Sequence, residues 1–368
     1  MQDRKIDRVV LVLSILLGGL IHPVSAQDPV PTPDLPQIDL NHDQVIDAKD
    51  LIIFMSQWQV QILPTPTPTP PNPGGAWREG IIGTIATGVT ISQISGDDGH
   101  YRMGAPQSFS DHGNGTITDN NTGLMWLKDP ASTVVSATYT WDEANQACAS
   151  LEFSGYSDWR LPSIEELSTL TDAGWPDPAI NPIFSSRTEA AYWSATPFKN
   201  NPEGHAWMKY SYGPVNWTFK SVSNFIRPVR GGNSSKNQRF TVNGNGTVSD
   251  NNTGLMWIQD PSVPGVAGAM NWSEALSTCE SLTFSGFADW RLPNLNELSS
   301  LIDYSRSAPA IDPVFLNTSS WAWTSTPVAG VPGQSWYVSF DVGIVFYAKQ
   351  DLTGYIRPVR SALTKTTH

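Results

Sequence analysis

The chain is poor in cysteine and in positive charge. Its 368 residues hold 2 cysteines, too few for the disulfide framework that holds small exported domains together. Lys and Arg number 22 against 34 Asp and Glu, a formal net charge of -12. That balance excludes the basic footprint needed for nucleic acid and disfavours simple electrostatic attachment to anionic membranes. Beyond Ile21 no apolar run approaches the ~20 residues of a membrane span, so no transmembrane segment is expected once the leader is removed. P-loop, His-Glu-x-x-His and Gly-x-Ser-x-Gly patterns are all missing. What the chain does have is apolar material, 39% of residues with 15 Trp, enough for a real core and for two or three domains.

Residues 1–26 begin with Asp3, Arg4, Lys5, Asp7 and Arg8, continue as an apolar run from Val9 to Ile21, and end in Val24-Ser25-Ala26. A charged start, a short apolar stretch and a small-residue end make a signal peptide, with the mature chain starting at Gln27 and the protein secreted or at the cell surface. The competing reading is an uncleaved membrane anchor. Residues 27–63 hold a loop with oxygen ligands at calcium-loop spacing: Asp39, Asn41, Asp43, the carbonyl of Val45, Asp47 and Asp50. A hard cation needs this density of oxygens, so calcium is the expected cofactor. Asp50 at the last position, followed by Leu51 and Ile52-Ile53-Phe54, resembles a type I dockerin repeat of EF-hand kind. Gln44 stands where glycine usually makes the sharp turn, and a dockerin has two such repeats where this chain has one. The resemblance implies a cohesin-like partner; the single copy favours calcium-stabilised folding. Residues 64–76, with Pro-Thr repeated, are expected to form an extended spacer.

The chain repeats itself. Asn114-Gly115-Thr116 through Asp119-Asn120-Asn121-Thr122-Gly123-Leu124-Met125-Trp126 returns as Asn245-Gly246-Thr247 through Asp250-Asn251-Asn252-Thr253-Gly254-Leu255-Met256-Trp257. Further on, Asp158-Trp159-Arg160-Leu161-Pro162 matches Asp289-Trp290-Arg291-Leu292-Pro293, and Ile226-Arg227-Pro228-Val229-Arg230 matches Ile356-Arg357-Pro358-Val359-Arg360. Units of this size are domains rather than solenoid repeats. In each, alternating Thr/Ile or Thr/Val segments between Asn-Gly and Asn-Asn-Thr-Gly predict a hairpin. Thr140 with Glu143, Ser163 with Glu166, Asn271 with Glu274 and Asn294 with Glu297 have capping-box spacing and predict two helices per copy. Aromatic-rich runs such as Tyr192-Trp193-Ser194, Ala206–Tyr210 and Trp336–Phe340 predict strands. The expected fold class is therefore α+β: hairpin, two helices and several antiparallel strands in each of two domains, at 77–231 and 238–361. A flexible joint at 232–237 is expected to let them reorient and bind with avidity, and 362–368 is a tail.

Each copy, over about 97–231 and 238–361, resembles the Lcl C-terminal domain family, named after a bacterial collagen-like adhesin. The resemblance implies a C-type-lectin-like fold and a binding role; the founding member is an adhesin for sulfated glycans. It also implies a cysteine in the final strand, paired with one on the first helix. Here Pro228 and Pro358 occupy that position, which leaves Cys148 and Cys279 without the family's partner and favours two buried thiols. Neither copy carries the Arg/Lys cluster of a polyanion site, so neutral sugars held by aromatic stacking and hydrogen bonds fit at least as well.

A catalytic site should appear in matched places in the two copies. His100, His112 and His205 have no histidine counterparts, and Glu165 becomes Asn296. The formylglycine-generating enzymes share the lectin-like fold and use cysteine chemistry, which keeps an enzyme as the lesser alternative; the expectation is no enzyme. Residues identical between copies, Asp158, Trp159, Arg160, Arg227 and Arg230 with Asp289, Trp290, Arg291, Arg357 and Arg360, are assigned to the scaffold, with Arg227, Arg230, Arg357 and Arg360 as partners for the aspartates. Ligand contact is expected where the copies diverge: Lys199, Asn200, Glu203, His205, Tyr210 and Trp217 in the first, Gln334, Tyr337, Asp341 and Tyr347 in the second. Such aromatic, amide and carboxylate groups suit sugars and equally a protein surface. The expected partner is an extracellular glycan, giving an adhesin, or else a surface protein, giving a matrix or scaffold component.

Overall fold

The computed structural model describes residues 84–133, 135–188, 190–232, 239–317 and 321–362, all within one unit of the chain. The leader at 1–26, the calcium loop from Asp39 to Asp50, the spacer at 64–76 and most of the joint lie outside the described residues. A segment carrying the short helix Asp98–Tyr101 (α1) precedes the first copy, which runs Phe109–Asp111 (β1), Thr116–Asp119 (β2), Leu124–Leu127 (β3), Trp141–Ala149 (α2), Ile164–Thr169 (α3), Ala191–Pro197 (β4), His205–Tyr210 (β5), Val215–Phe219 (β6) and Val229–Gly231 (β7). The second repeats the order: Phe240–Val242 (β8), Thr247–Asp250 (β9), Leu255–Ile258 (β10), Trp272–Ser281 (α4), Leu295–Ser299 (α5), Trp321–Pro327 (β11), Gln334–Ser339 (β12), Ile344–Lys349 (β13) and Val359–Ser361 (β14). Antiparallel strands dominate, and the helices are few and short.

Local chemistry sets these elements. Gly115 and Gly246 turn the chain into β2 and β9 with φ +85° and +82°. A Cβ on either would lie 2.8 or 2.9 Å from the ring of Phe153 or Phe284, so both the backbone angle and the space require glycine. The starts of α2 to α5 carry reciprocal capping boxes, at Thr140/Glu143, Ser163/Glu166, Asn271/Glu274 and Asn294/Glu297. Each box satisfies two otherwise orphaned amides.

Three sheets result. One four-stranded sheet per copy has the order β1-β2-β3-β7 or β8-β9-β10-β14, and a six-stranded sheet spans both copies as β4-β5-β6-β13-β12-β11. Its halves meet where Val215 of β6 pairs antiparallel with Val345 of β13. These two valines are equivalent positions, so the junction is a pseudo-twofold axis inside one chain. On one face of this sheet, Trp207, Val215 and Ile164 of the first copy share a cluster with Trp336, Val345, Leu295 and Tyr304 of the second. On the other face each copy keeps its own core. Ala206 and Met208 pack with Ala144 and Cys148, and Trp323 packs with Ala275 and Cys279. The two thiols are thus buried, unbonded and in different cores; burial pushes Cys148 up to about 12 and raises Cys279 as well.

The expectation that the copies reorient freely about their joint is corrected by this sheet and this cluster. Moving one copy against the other would expose the edges of β6 and β13 and pull Trp207 from Tyr304, whose rings meet edge-on with centroids 4.9 Å apart. Gly213, at φ +115° in the β5–β6 turn, tightens the fit, since a Cβ there would lie 2.6 Å from the Trp336 ring.

The segment before β1 crosses to the second copy. Asn294 and Asn296 donate side-chain amides to the carbonyls of Met103 and Ile85 at 3.2 and 2.9 Å, and the Tyr101 hydroxyl donates to Glu280 at 2.6 Å. Asp98 is buried and accepts from the hydroxyls of Thr87 and Thr326 at 2.5 and 2.7 Å. This strap also returns to the first copy, where the Ala173 amide donates to the Thr87 carbonyl at 2.6 Å. Under it the bidentate Arg291–Glu297 pair is almost fully covered, while its counterpart Arg160–Glu166 is 43% and 23% exposed.

Two predictions follow from the shared core and the strap. The two copies should unfold in a single calorimetric transition with matching calorimetric and van't Hoff enthalpies; two resolved transitions would show that the interface is not cooperative. Burial raises Asp98 from 3.8 to about 7, opposed by the two threonine hydroxyls and by Arg291 and aided by Glu297. A raised acid stabilises the fold fully below its unfolded pKa and loses that contribution as pH rises from about 4 to 7. Asp98→Asn should therefore flatten this part of the stability–pH profile and raise Tm at pH 8 by on the order of 5 °C. An unchanged profile would remove Asp98 as its source.

Candidate functional site

The pseudo-twofold junction opens into a cleft. Pro162-Ser163 and Pro293-Asn294 start α3 and α5 at equivalent points, and Leu167 and Leu298 are buried at equivalent positions on them. Glu165, Ser168 and Thr169 of α3 and Leu295, Asn296 and Ser299 of α5 line one cleft. Between them, with Val215 and Val345 at the sheet, lies a cavity of about 890 Å³.

Its lining is largely apolar, with Phe240, Leu295, Leu301 and Ile302 beside the two valines, and hydroxyl and amide groups are set among them. Ser168 of α3 and Ser299 of α5 are equivalent positions, both line the cleft, and the hydroxyl oxygens of both are buried with no hydrogen-bond partner among the described residues. Thr169, Asn296 and Ser300 extend this polar lining. Glu165 opens onto the cleft from α3, and desolvation by the protein around it raises its carboxyl, with Glu166 and Asp303 adding to the rise. Tyr304 is buried at the wall, and its phenol is held well above the usual value by that burial and by Glu165.

Lys209 is the exceptional group. It lies on β5 with only 8% of its surface exposed and lines the cleft. Its ammonium donates to the Gly213 carbonyl. Burial alone lowers its pKa from 10.5 to about 7, with no carboxylate contributing to the shift. In the second copy the equivalent strand position, by pairing with Val345 as Lys209 pairs with Val215, is Val338. The scaffold is therefore built equally well with an apolar residue there.

The residues expected to contact ligand do not converge. Lys199, Asn200 and Glu203 are exposed in the β4–β5 turn, where the Asn200 side-chain oxygen accepts from the Ser307 hydroxyl of the other copy. His205 is buried against Phe198, Trp217 and Phe219. Trp217 stacks on Phe198 with centroids 4.7 Å apart, and both Trp217 and Tyr347 pack on the core shared by the copies. Tyr210 and Tyr337 pack on the opposite face of the central sheet, in two different cores. Gln334 sits on β12, and Asp341 is exposed in the turn after it, its carboxyl raised by desolvation. Most of these aromatics serve packing.

The arginines identical between copies divide into three roles. Arg230 and Arg360 pair with Asp158 and Asp289, each at 2.6 Å. Arg160 and Arg291 hold Glu166 and Glu297, fixing the glutamates that cap α3 and α5. Arg227 and Arg357, unlike the expected aspartate partners, are buried and donate to three backbone carbonyls each: Leu127, Lys128 and Ser185 for one, Ile258, Gln259 and Leu316 for the other. Burial lowers both, Arg357 to about 10. Trp159 and Trp290 are buried beside them in the separate cores.

Sequence reasoning passed over Lys209, Ser168 and Ser299. The signal for Lys209 is present: in Trp207-Met208-Lys209-Tyr210 the two-residue period puts the lysine on the face of Trp207, where Trp336-Tyr337-Val338-Ser339 has valine.

Chemically, the cleft offers hydrogen-bond donors and acceptors around one buried amine. Ser168 and Ser299 have no base within hydrogen-bond reach among the described residues, so neither is an activated nucleophile of the serine–base kind. No group of three His, Cys, Asp or Glu side chains there could hold a metal ion, and no helix among them is long and apolar enough to cross a membrane. A search of curated proteins gives no match to the chain. The Lcl C-terminal domain matches twice, at residues 115–230 and 246–360, each running from the β2 turn to the β7 or β14 strand that closes the four-stranded sheet. With the greater part of its length so matched, the chain belongs to the Lcl C-terminal domain family, and it carries two copies fused across one sheet.

Proposed function

We propose that the chain is a non-enzymatic binding protein, exported to the cell surface or medium, that holds a glycan in the cleft between two lectin-like copies and so acts as an adhesin. The carrying observation is the cleft itself: about 890 Å³, with serine, threonine and asparagine side chains set into a largely apolar lining, among them Ser168 and Ser299, whose buried hydroxyls have no partner among the described residues. A sugar meets such a surface with hydroxyls that both donate and accept, and a preformed cavity of this size is typical of ligand sites. The leader at 1–26 supports export. The loop of Asp39, Asn41, Asp43, Val45, Asp47 and Asp50 supports calcium binding ahead of the spacer, in the manner of a dockerin repeat.

On a glycan array, the full chain should bind a restricted set of sugars, and Ser299→Trp, which fills the cleft, should weaken that binding at least ~10-fold while leaving Tm unchanged within a few degrees. Silence across the array would sink the glycan reading in favour of a protein partner. Binding untouched by Ser299→Trp would move the site elsewhere. Calorimetric titration of the full chain with calcium should give one site that Asp43→Ala together with Asp47→Ala abolishes; no heat at millimolar calcium would refute the loop.

A further inference from the structure

The floor of the cleft carries a group that a neutral sugar does not need. An ammonium has three donors, and that of Lys209 has one acceptor among the described residues, the Gly213 carbonyl. Burying a cation without a counter-charge is costly, and here the cost is not forced by the fold, because the second copy places Val338 at the same point of the same sheet. The acidic groups on the cleft wall do not compensate it. Asp303 is held by Arg306 at 2.9 Å, Asp312 accepts the Val314 amide at 2.9 Å, and Glu165 is raised by desolvation and acts on Tyr304 rather than on the lysine. Arg239, the other cation of the lining, is engaged by Asp250 at 2.7 Å. Among the described residues, Lys209 is thus the buried cation of the cleft left to meet a charge brought from outside.

We propose that this cleft selects a ligand bearing a single carboxylate, a uronic-acid-type sugar, whose carboxylate pairs with the Lys209 ammonium while its hydroxyls meet Ser168 and Ser299. This rests on the glycan reading above and narrows it. Three carboxylates on the wall, Glu165, Asp303 and Asp312, repel a polyanion and leave room for one negative charge at the lysine. Arrival of that charge favours the protonated amine, so binding takes up a proton wherever the free lysine is neutral. With the free lysine near 7, affinity is highest below pH 7 and falls as pH rises above it.

The experiment uses the full chain with sodium D-glucuronate and D-glucose as probes, titrated at pH 6 and pH 8, with the Lys209 side chain followed by NMR on lysine-labelled protein. Glucuronate should bind at least ~10-fold more tightly than glucose at pH 6, should lose about tenfold of its affinity by pH 8, and should shift the Lys209 titration upward. Lys209→Val, which installs the residue of the other copy, should keep the fold, abolish the preference for glucuronate and remove the pH dependence, whereas a dependence supplied by Glu165, Asp303, Tyr304 or Arg239 would survive the substitution. Equal binding of the two sugars, a preference that survives Lys209→Val, or a Lys209 titration indifferent to saturating glucuronate would each overturn the proposal. Array binding that Ser299→Trp blocks but that ignores the carboxylate would overturn it while the glycan reading stands. An array silent throughout, with glucuronate still shifting Lys209, would sink the glycan reading and leave a carboxylate site.

Discussion

Everything on the functional face of this protein depends on one backbone pairing, Val215 with Val345, which joins the exposed edges of two half-sheets. A free edge is a row of unsatisfied donors and acceptors that invites association with another chain. Here each copy supplies the cover for the other, and the pairing of equivalent residues makes the arrangement self-complementary in the way of a twofold dimer. Once the edges are joined, α3 and α5 are set face to face across the junction, and the cleft is what their short lengths leave between them. The cavity is therefore a property of the pair, lined by residues of both copies.

Duplication then acts as an internal control on what the scaffold needs. Features present twice, such as the capping boxes, the Arg230–Asp158 and Arg360–Asp289 pairs and the three-carbonyl clamps of Arg227 and Arg357, are conditions of folding. Features present once have been added to a scaffold that stands without them. The strap over the second copy is one, and it buries Asp98 and the Arg291–Glu297 pair that its counterpart leaves half exposed. Lys209 is another, at a position where valine packs equally well.

Legibility in the sequence followed the range of the interactions. Turns and helix starts are local, and Asn-Gly at 114–115 or Ser163 with Glu166 announces its structure within four residues. The order of hairpin, helices and strands could be read in this way, as could the repeat. The joining of the copies could not, because edge pairing between β6 and β13 is non-local and nothing in Val215-Asn216-Trp217 distinguishes a strand that meets solvent from one that meets another strand. This also bears on the residues at which the copies diverge. At a pseudo-twofold interface each side must complement its neighbour rather than copy it: Trp207 meets Tyr304, while its equivalent Trp336 packs on Gly213. Trp217 and Tyr347 differ for that reason, and were open to being taken for ligand contacts.

The separation between packing and recognition is finally a matter of energy. An aromatic that differs between copies can be satisfied by a neighbouring ring, and Trp217 and Phe198 satisfy one another in this way. A charged group cannot be satisfied by apolar contact, so its divergence carries more information than that of a tryptophan. Lys209 stands where Val338 packs an apolar side chain in the other copy, and burial lowers its pKa to about 7. A desolvated amine present in one copy only, on the wall of a cleft lined by both, is what the proposed carboxylate site draws on.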